Sequence, residues 1–141
     1  RAILRRFREG DPLADLKPVL AADEVARLAA LCRRVHVSDA IEDYILALAR
    51  ATRSSEALAL GASPRASLAL YHTSQSLAAL RGRDFVLPDD VQALIEPVLA
   101  HRLIPNARQR LRGEAVRDIL QALAADVPVP VEENWPGGAP A

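Results

Sequence analysis

GASPRASLAL, residues 61–70, is the stretch from which the fold of this chain can be read. Gly61 closes a loop. Ser63 can offer its hydroxyl to a free backbone N–H of the next turn, and Pro64 suits the first helical position, where its missing N–H costs nothing. The pattern predicts a helix from residue 64 through Leu68, Leu70, Leu77 and Leu80, ended by Gly82. Alanine is spread around this helix, so several neighbours can pack close to it. Its first turn carries Arg65. A helix start already presents unpaired N–H groups and partial positive charge, so a guanidinium there opposes the dipole and calls for compensation. An anionic ligand would supply it, which makes this helix start a candidate phosphate site. The alternative is an arginine that points into water or pairs with a nearby carboxylate. Spacing alone leaves both open.

Outward from residues 61–70, apolar periodicity predicts further helices. One covers about Ala22 to Val35, with Val25, Leu28, Ala29, Cys32 and Val35 on one stripe. The next covers about Asp39 to Arg53, capped by Ser38, with Ile41, Tyr44, Ile45, Leu48 and Thr52 inside. Residues 54–62 read as a loop. Phe85-Val86-Leu87 reads as a short strand, pairing with residues 102–111 in a small hairpin. Pro88 and the acids Asp89 and Asp90 open a helix through Val91, Leu94, Ile95, Val98 and Leu99, which Pro97 should bend or break. A last helix covers about Gly113 to Ala125, with Val116, Ile119, Leu120 and Leu123 inside. Pro12 and Pro18 break the basic segment 1–20. Pro and Gly make the stretch after Val127 loose. The expected class is all-α: a bundle of about five helices with a minor β-hairpin.

Composition supports that class. The chain has 141 residues, half of them hydrophobic and few of them aromatic. Alanine and leucine favour packed helices over sheets. The 18 basic side chains balance 18 acidic ones, which argues against a nucleic-acid binder. Lys17 is the one lysine, and the arginines suit fixed carboxylate or phosphate contacts. Cys32 stands alone, so no internal disulfide forms; His36, His72 and His101 lack metal-ligand spacing. No apolar run approaches the roughly 20 residues of a membrane span. The chain holds no Met and opens on Arg1, so it is expected to be an internal or C-terminal piece of a longer polypeptide.

GASPRASLAL, followed by LRGRDFVLPDDVQAL and VLAHRL, resembles the C-terminal helical lid of the MoxR family of AAA+ ATPases. DPLADLKPVL and DAIEDYILALARATR fit the same pattern, so the resemblance covers roughly residues 10–128. It implies that Arg65 is the second-sensor arginine, reaching the β- and γ-phosphates of ATP and stabilising charge on the transferring phosphoryl group. Gly61 and Ser63 would then shape the turn, and Pro64 would fix the helix entry. The implied domains are a linker from a missing AAA+ core (1–20), the lid (21–127) and a flexible tail (128–141). The implied partners are that core, neighbouring subunits of a hexameric ring and a protein with a von Willebrand factor A domain, with no nucleic acid and no membrane. The implied location is cytoplasmic, and the implied activity is remodelling of client proteins.

No G-x-x-x-x-G-K-[ST] phosphate loop is present, and no apolar strand ends in acids that could hold Mg²⁺. The chain alone is therefore expected to be inactive, with ATP and Mg²⁺ held by the core. Arg81-Gly82-Arg83-Asp84 matches the family's GRD turn; its plain reading is a helix stop followed by an Arg–Asp surface pair. Leu87 departs from the family, where Thr often precedes the proline, and leucine cannot accept a capping hydrogen bond. Arg53, His101 and Arg102 suit helix C-termini electrostatically, so no role is assigned to them. The competing class is a non-catalytic interaction module with histone-fold character, which the balanced charge disfavours.

Overall fold

The computed structural model describes residues 1, 5, 7, 8 and 16–131. Most of the first 15 residues of the basic segment, and the tail from residue 132 onward, lie outside the described residues. Two units are distinguished, Arg1–Ala30 and Leu31–Ala141. The described helices are α1 (Ala22–Cys32), α2 (Asp39–Ser54), α3 (Pro64–Leu80), α4 (Pro88–Leu99), α5 (Ala107–Arg112) and α6 (Val116–Asp126). Two short strands, β1 (Leu58–Leu60) and β2 (Ile104–Pro105), join them.

α1 carries the apolar stripe read from the sequence, yet none of its residues is buried. It ends at Cys32, and Val35 leaves the helix to enter the core of the larger unit. Periodicity showed a stripe; it could not show whether another surface covers it.

In the larger unit, α2 buries Ile41, Tyr44, Ile45, Leu48, Ala49 and Thr52, the face its spacing predicted. The Ser38 hydroxyl accepts from the Ile41 N–H. α3 packs through Ala66, Leu70 and Ala78, all almost fully enclosed. Small side chains there bring neighbouring backbones near, so several elements share this helix. α4 adds Val91, Ile95, Val98 and Leu99, and α6 adds Leu120. Burying each such aliphatic side chain stabilises the fold by about 1.5–3 kcal/mol. α4 runs through Pro97 to Leu99 and then tightens into a 3₁₀ turn at Ala100–Arg102. Pro97 therefore does not stop the helix. It lies in the last turn, where only the Ala93 carbonyl loses its donor.

The predicted hairpin is corrected. β2 does fall within residues 102–111, but its antiparallel partner is β1, in the stretch read as a loop. Leu58 faces Pro105 and Leu60 faces Ile104, with an irregularity between. The Asn106 N–H donates to the Ala57 carbonyl and extends the pairing by one step. Phe85 instead forms an isolated parallel bridge with His36. The His36 N–H donates to the Asp84 carbonyl (2.7 Å), and the Val86 N–H donates to the His36 carbonyl (3.0 Å). α5 was not foreseen. Asn106 caps it by accepting from the Gln109 N–H, and Gly113 closes it at φ +72°.

Candidate functional site

The turn that leads into α3 is set by α2. A Cβ on Gly61 would lie 2.7 Å from the Arg53 Cα and from the Thr52 carbonyl oxygen. Those are backbone atoms, which cannot swing aside, so only glycine fits. The next residue is tied down by a side chain. The Ala62 N–H donates to the Thr52 Oγ1 (2.9 Å), and that hydroxyl donates to the Ala49 carbonyl (2.7 Å). Thr52 and Ala62 are both buried. Ser63 has extended dihedrals and accepts from the Ala66 N–H (3.3 Å), and Pro64 opens the helix.

Arg65 follows in the first turn and is exposed. Among the described residues it has no hydrogen bond or ion pair. α2 has Asp39 and Glu42 in its first turn, and α4 has Asp89 and Asp90, whereas α3 has no acid there. The cation at the start of α3 thus meets a helix dipole of its own sign with no carboxylate to offset it. Of the two readings of Arg65, pairing with a nearby carboxylate does not occur among the described residues. A mostly apolar groove of about 290 Å³ lies beside this turn, between Ile45 and Leu46 of α2 and Ser67, Leu68 and Tyr71 of α3. Burial pushes the Tyr71 phenol up, and the charge and hydrogen bond of Glu42 add to that.

A second polar cluster sits at the other end of α3. Asp90 is fully buried. It accepts from Arg81 (2.7 Å), from both terminal nitrogens of Arg83 (2.7 and 2.8 Å) and from the Leu87 N–H (2.9 Å). Arg83 also donates to the Phe85 carbonyl and lies over the Phe85 ring. Burial alone would raise the Asp90 pKa. The Arg83 hydrogen bonds, the Leu87 N–H and the charges of Arg83 and Arg81 outweigh burial and hold the carboxyl below its usual range. The expected Arg–Asp surface pair is therefore corrected: both arginines of the RGRD turn reach Asp90, not Asp84. The same contact resolves the α4 start. Leu87 supplies no cap, but its own N–H is satisfied by Asp90 in the third helical position, the reciprocal half of a capping box.

The Arg102 Nε donates to the Val98 carbonyl (3.0 Å), and the Arg53 Nε donates to the Ala49 carbonyl (3.4 Å). Both sit where a helix C-terminus favours a cation. Cys32 is free and half-buried. Sequence reasoning gave no special place to Thr52 or Asp90. A threonine on an apolar stripe looks like filler, and an acid at the third helical position looks like a dipole partner. The sign available was the spacing itself, since an acid three residues after the cap can accept from the cap residue's own N–H.

The pattern of the AAA lid domain matches residues 50–123, from the end of α2 through most of α6. The chain belongs to the AAA lid domain family. Its relatives make it a lid of the MoxR-like ATPase group. The YeaC protein of Bacillus subtilis is 32% identical over 132 residues, covering 94% of this chain and 41% of its own length. The chaperone MoxR1 of Mycobacterium tuberculosis is 38% identical over 107 residues, covering 70% of this chain and 28% of its own length. The MoxR protein of Paracoccus denitrificans is 37% identical over 109 residues, covering 67% and 32%. The crystal structure of a candidate ATPase from Cytophaga hutchinsonii superposes with a TM-score of 0.73 at 26% identity, covering 77% of this chain and 36% of that one. The lid thus spans less than half the length of each of these proteins. No helix among its described residues is long and apolar enough to cross a membrane.

Proposed function

We propose that this lid closes over ATP held by an AAA+ core on the same polypeptide, with residues 1–20 as the connection, 21–127 as the lid and 128–141 as the segment that follows it. Arg65 is then the second sensor. The supporting observation is an exposed guanidinium in the first turn of α3, without a partner among the described residues, in a turn immobilised by Gly61, Thr52 and Ser63. A triphosphate would offset both the guanidinium and the helix dipole. As charge develops on the phosphoryl oxygens, a pre-positioned cation stabilises it without reorganising. Loss of that charge after hydrolysis removes the reason for Arg65 to stay near the core, which couples chemistry to lid movement. Mg²⁺ belongs to the core in this reading.

Neighbouring subunits of a ring, a hexamer in the expected arrangement, would share that movement and apply it to client proteins in the cytoplasm. MoxR1 is named a chaperone, and this reading extends that role to the parent of this lid, with a von Willebrand factor A domain protein as a partner. The test is Arg65→Ala in the parent polypeptide. Turnover should fall by roughly 10²–10³-fold, as when one preorganised charge-stabilising donor is removed, while the thermal unfolding midpoint stays put. Unchanged kinetics would leave Arg65 as an ordinary surface residue.

A further inference from the structure

We propose that Thr52 is a positioning residue: its hydroxyl fixes the Ala62 turn and thereby aims Arg65. This rests on the reading of Arg65 as a phosphate contact. The hydroxyl has one proton to give, and it gives it to the Ala49 carbonyl of its own helix (2.7 Å). Its lone pairs are then the only capacity left, and the Ala62 N–H uses one of them (2.9 Å). The direction of the bond is therefore set, and a side chain with no acceptor cannot replace it. Both groups are buried, so water cannot take over the contact.

Two residues separate Ala62 from Arg65, and both are constrained. Ser63 is held at φ −76° and ψ 164° by its own cap, and Pro64 has its φ locked by the ring. Gly61, on the other side, is pressed against Thr52 and Arg53. The turn therefore has little freedom beyond what the Thr52–Ala62 bond removes. Releasing that bond lets the first turn of α3 shift on α2, and the guanidinium, at the end of a long side chain, shifts with it. Thr52 touches no ligand; it acts through Arg65.

The experiment compares Thr52→Val, which keeps the shape and removes the hydroxyl, with Thr52→Ser, which keeps the hydroxyl and removes the methyl. Each is made in the parent polypeptide, alone and combined with Arg65→Ala, and kcat and KM for ATP are measured. Thr52→Val should lower kcat by roughly tenfold or more, since misplacing a catalytic contact by about 1 Å can reduce rate by about 10². Thr52→Ser should stay within about twofold of the parent, because the contact survives. In the Arg65→Ala background, Thr52→Val should produce no further loss. An equal loss in both backgrounds marks a general stability effect and overturns the proposal, as does unchanged kcat in Thr52→Val. Arg65→Ala with full activity sinks instead the reading on which the proposal rests. Amide exchange in the 141-residue chain gives a measure that does not depend on activity. The Ala62 N–H should be protected in the native chain, and fast exchange there overturns the proposal even if Thr52→Val fails to fold.

Discussion

Replacing Asp90 with Asn tests how the lid is held at the end of α3 remote from Arg65. The substitution keeps volume and shape and removes the charge and one of two acceptor oxygens. In the native lid, Oδ1 accepts from Arg81 and Arg83, and Oδ2 accepts from Arg83 and the Leu87 N–H. An asparagine can serve one of these pairs, but its NH₂ then faces the donors of the other. Two charge-assisted bonds are lost, each worth about 1.5–3 kcal/mol. The arginines recover part of this by returning to water, since their side chains are 46% and 21% exposed. The lower end of the range applies, and the expected loss is about 3 kcal/mol. For a domain of this size that is roughly 10 °C in Tm. Urea unfolding followed by circular dichroism should show a lower midpoint with an unchanged slope. The pH dependence has a definite sign. The native carboxyl is held below the unfolded value of about 3.9, so its contribution is complete above that pH and disappears as pH falls through the lowered native value. Asp90→Asn should remove this part of the acid sensitivity. A loss below about 1 kcal/mol would refute the reasoning, because it would mean that four contacts to a buried carboxylate contribute no more than a surface pair.

The two glycines flanking α3 should fail differently. Gly61→Ala forces a Cβ onto backbone atoms of α2 and should destabilise by about 1–3 kcal/mol, the range for overpacking. Gly82→Ala meets open space at φ +75° and should lose about 1 kcal/mol for the left-handed backbone alone; thermal melts of the two variants separate these cases. Gln75→Leu leaves the Arg33 and Val35 carbonyls without the Gln75 Nε2 donor and should destabilise by about 1–3 kcal/mol, read by urea unfolding. The 141-residue lid alone should show no ATP turnover. Activity that persists after exhaustive purification and is lost with Arg65→Ala would overturn that expectation.

The parts of the fold that local chemistry controls were legible. Ser38 and Ser63 start α2 and α3 where a hydroxyl can meet a free N–H, and Gly82 stops α3 where a left-handed residue is needed. The inner face of α2 follows from its spacing. Non-local contacts were not legible. β1 is Leu-Ala-Leu with no alternation, and its partner lies beyond two intervening helices, so nothing in residues 58–60 announces a strand. α5 is short and rich in arginine, without an apolar stripe to give it away. The exposure of α1 depends on what meets it, which periodicity does not encode. In the candidate site, the helix start was readable because capping is local. The Thr52–Ala62 bond and the Asp90 cluster were not, because both depend on which helix ends meet.

The β1–β2 pairing has a consequence for how the chain is made. During synthesis Leu60 leaves the ribosome well before Ile104, and at about 5–20 residues per second the interval is on the order of seconds. Through that interval β1 has no partner and its apolar residues stand open. The β1–β2 ladder is therefore closed late, after α4 has been made, whereas the turn entering α3 draws its contacts from α2 and can form earlier. Ribosome-bound chains truncated just before Ile104 are where binding by general chaperones should be strongest.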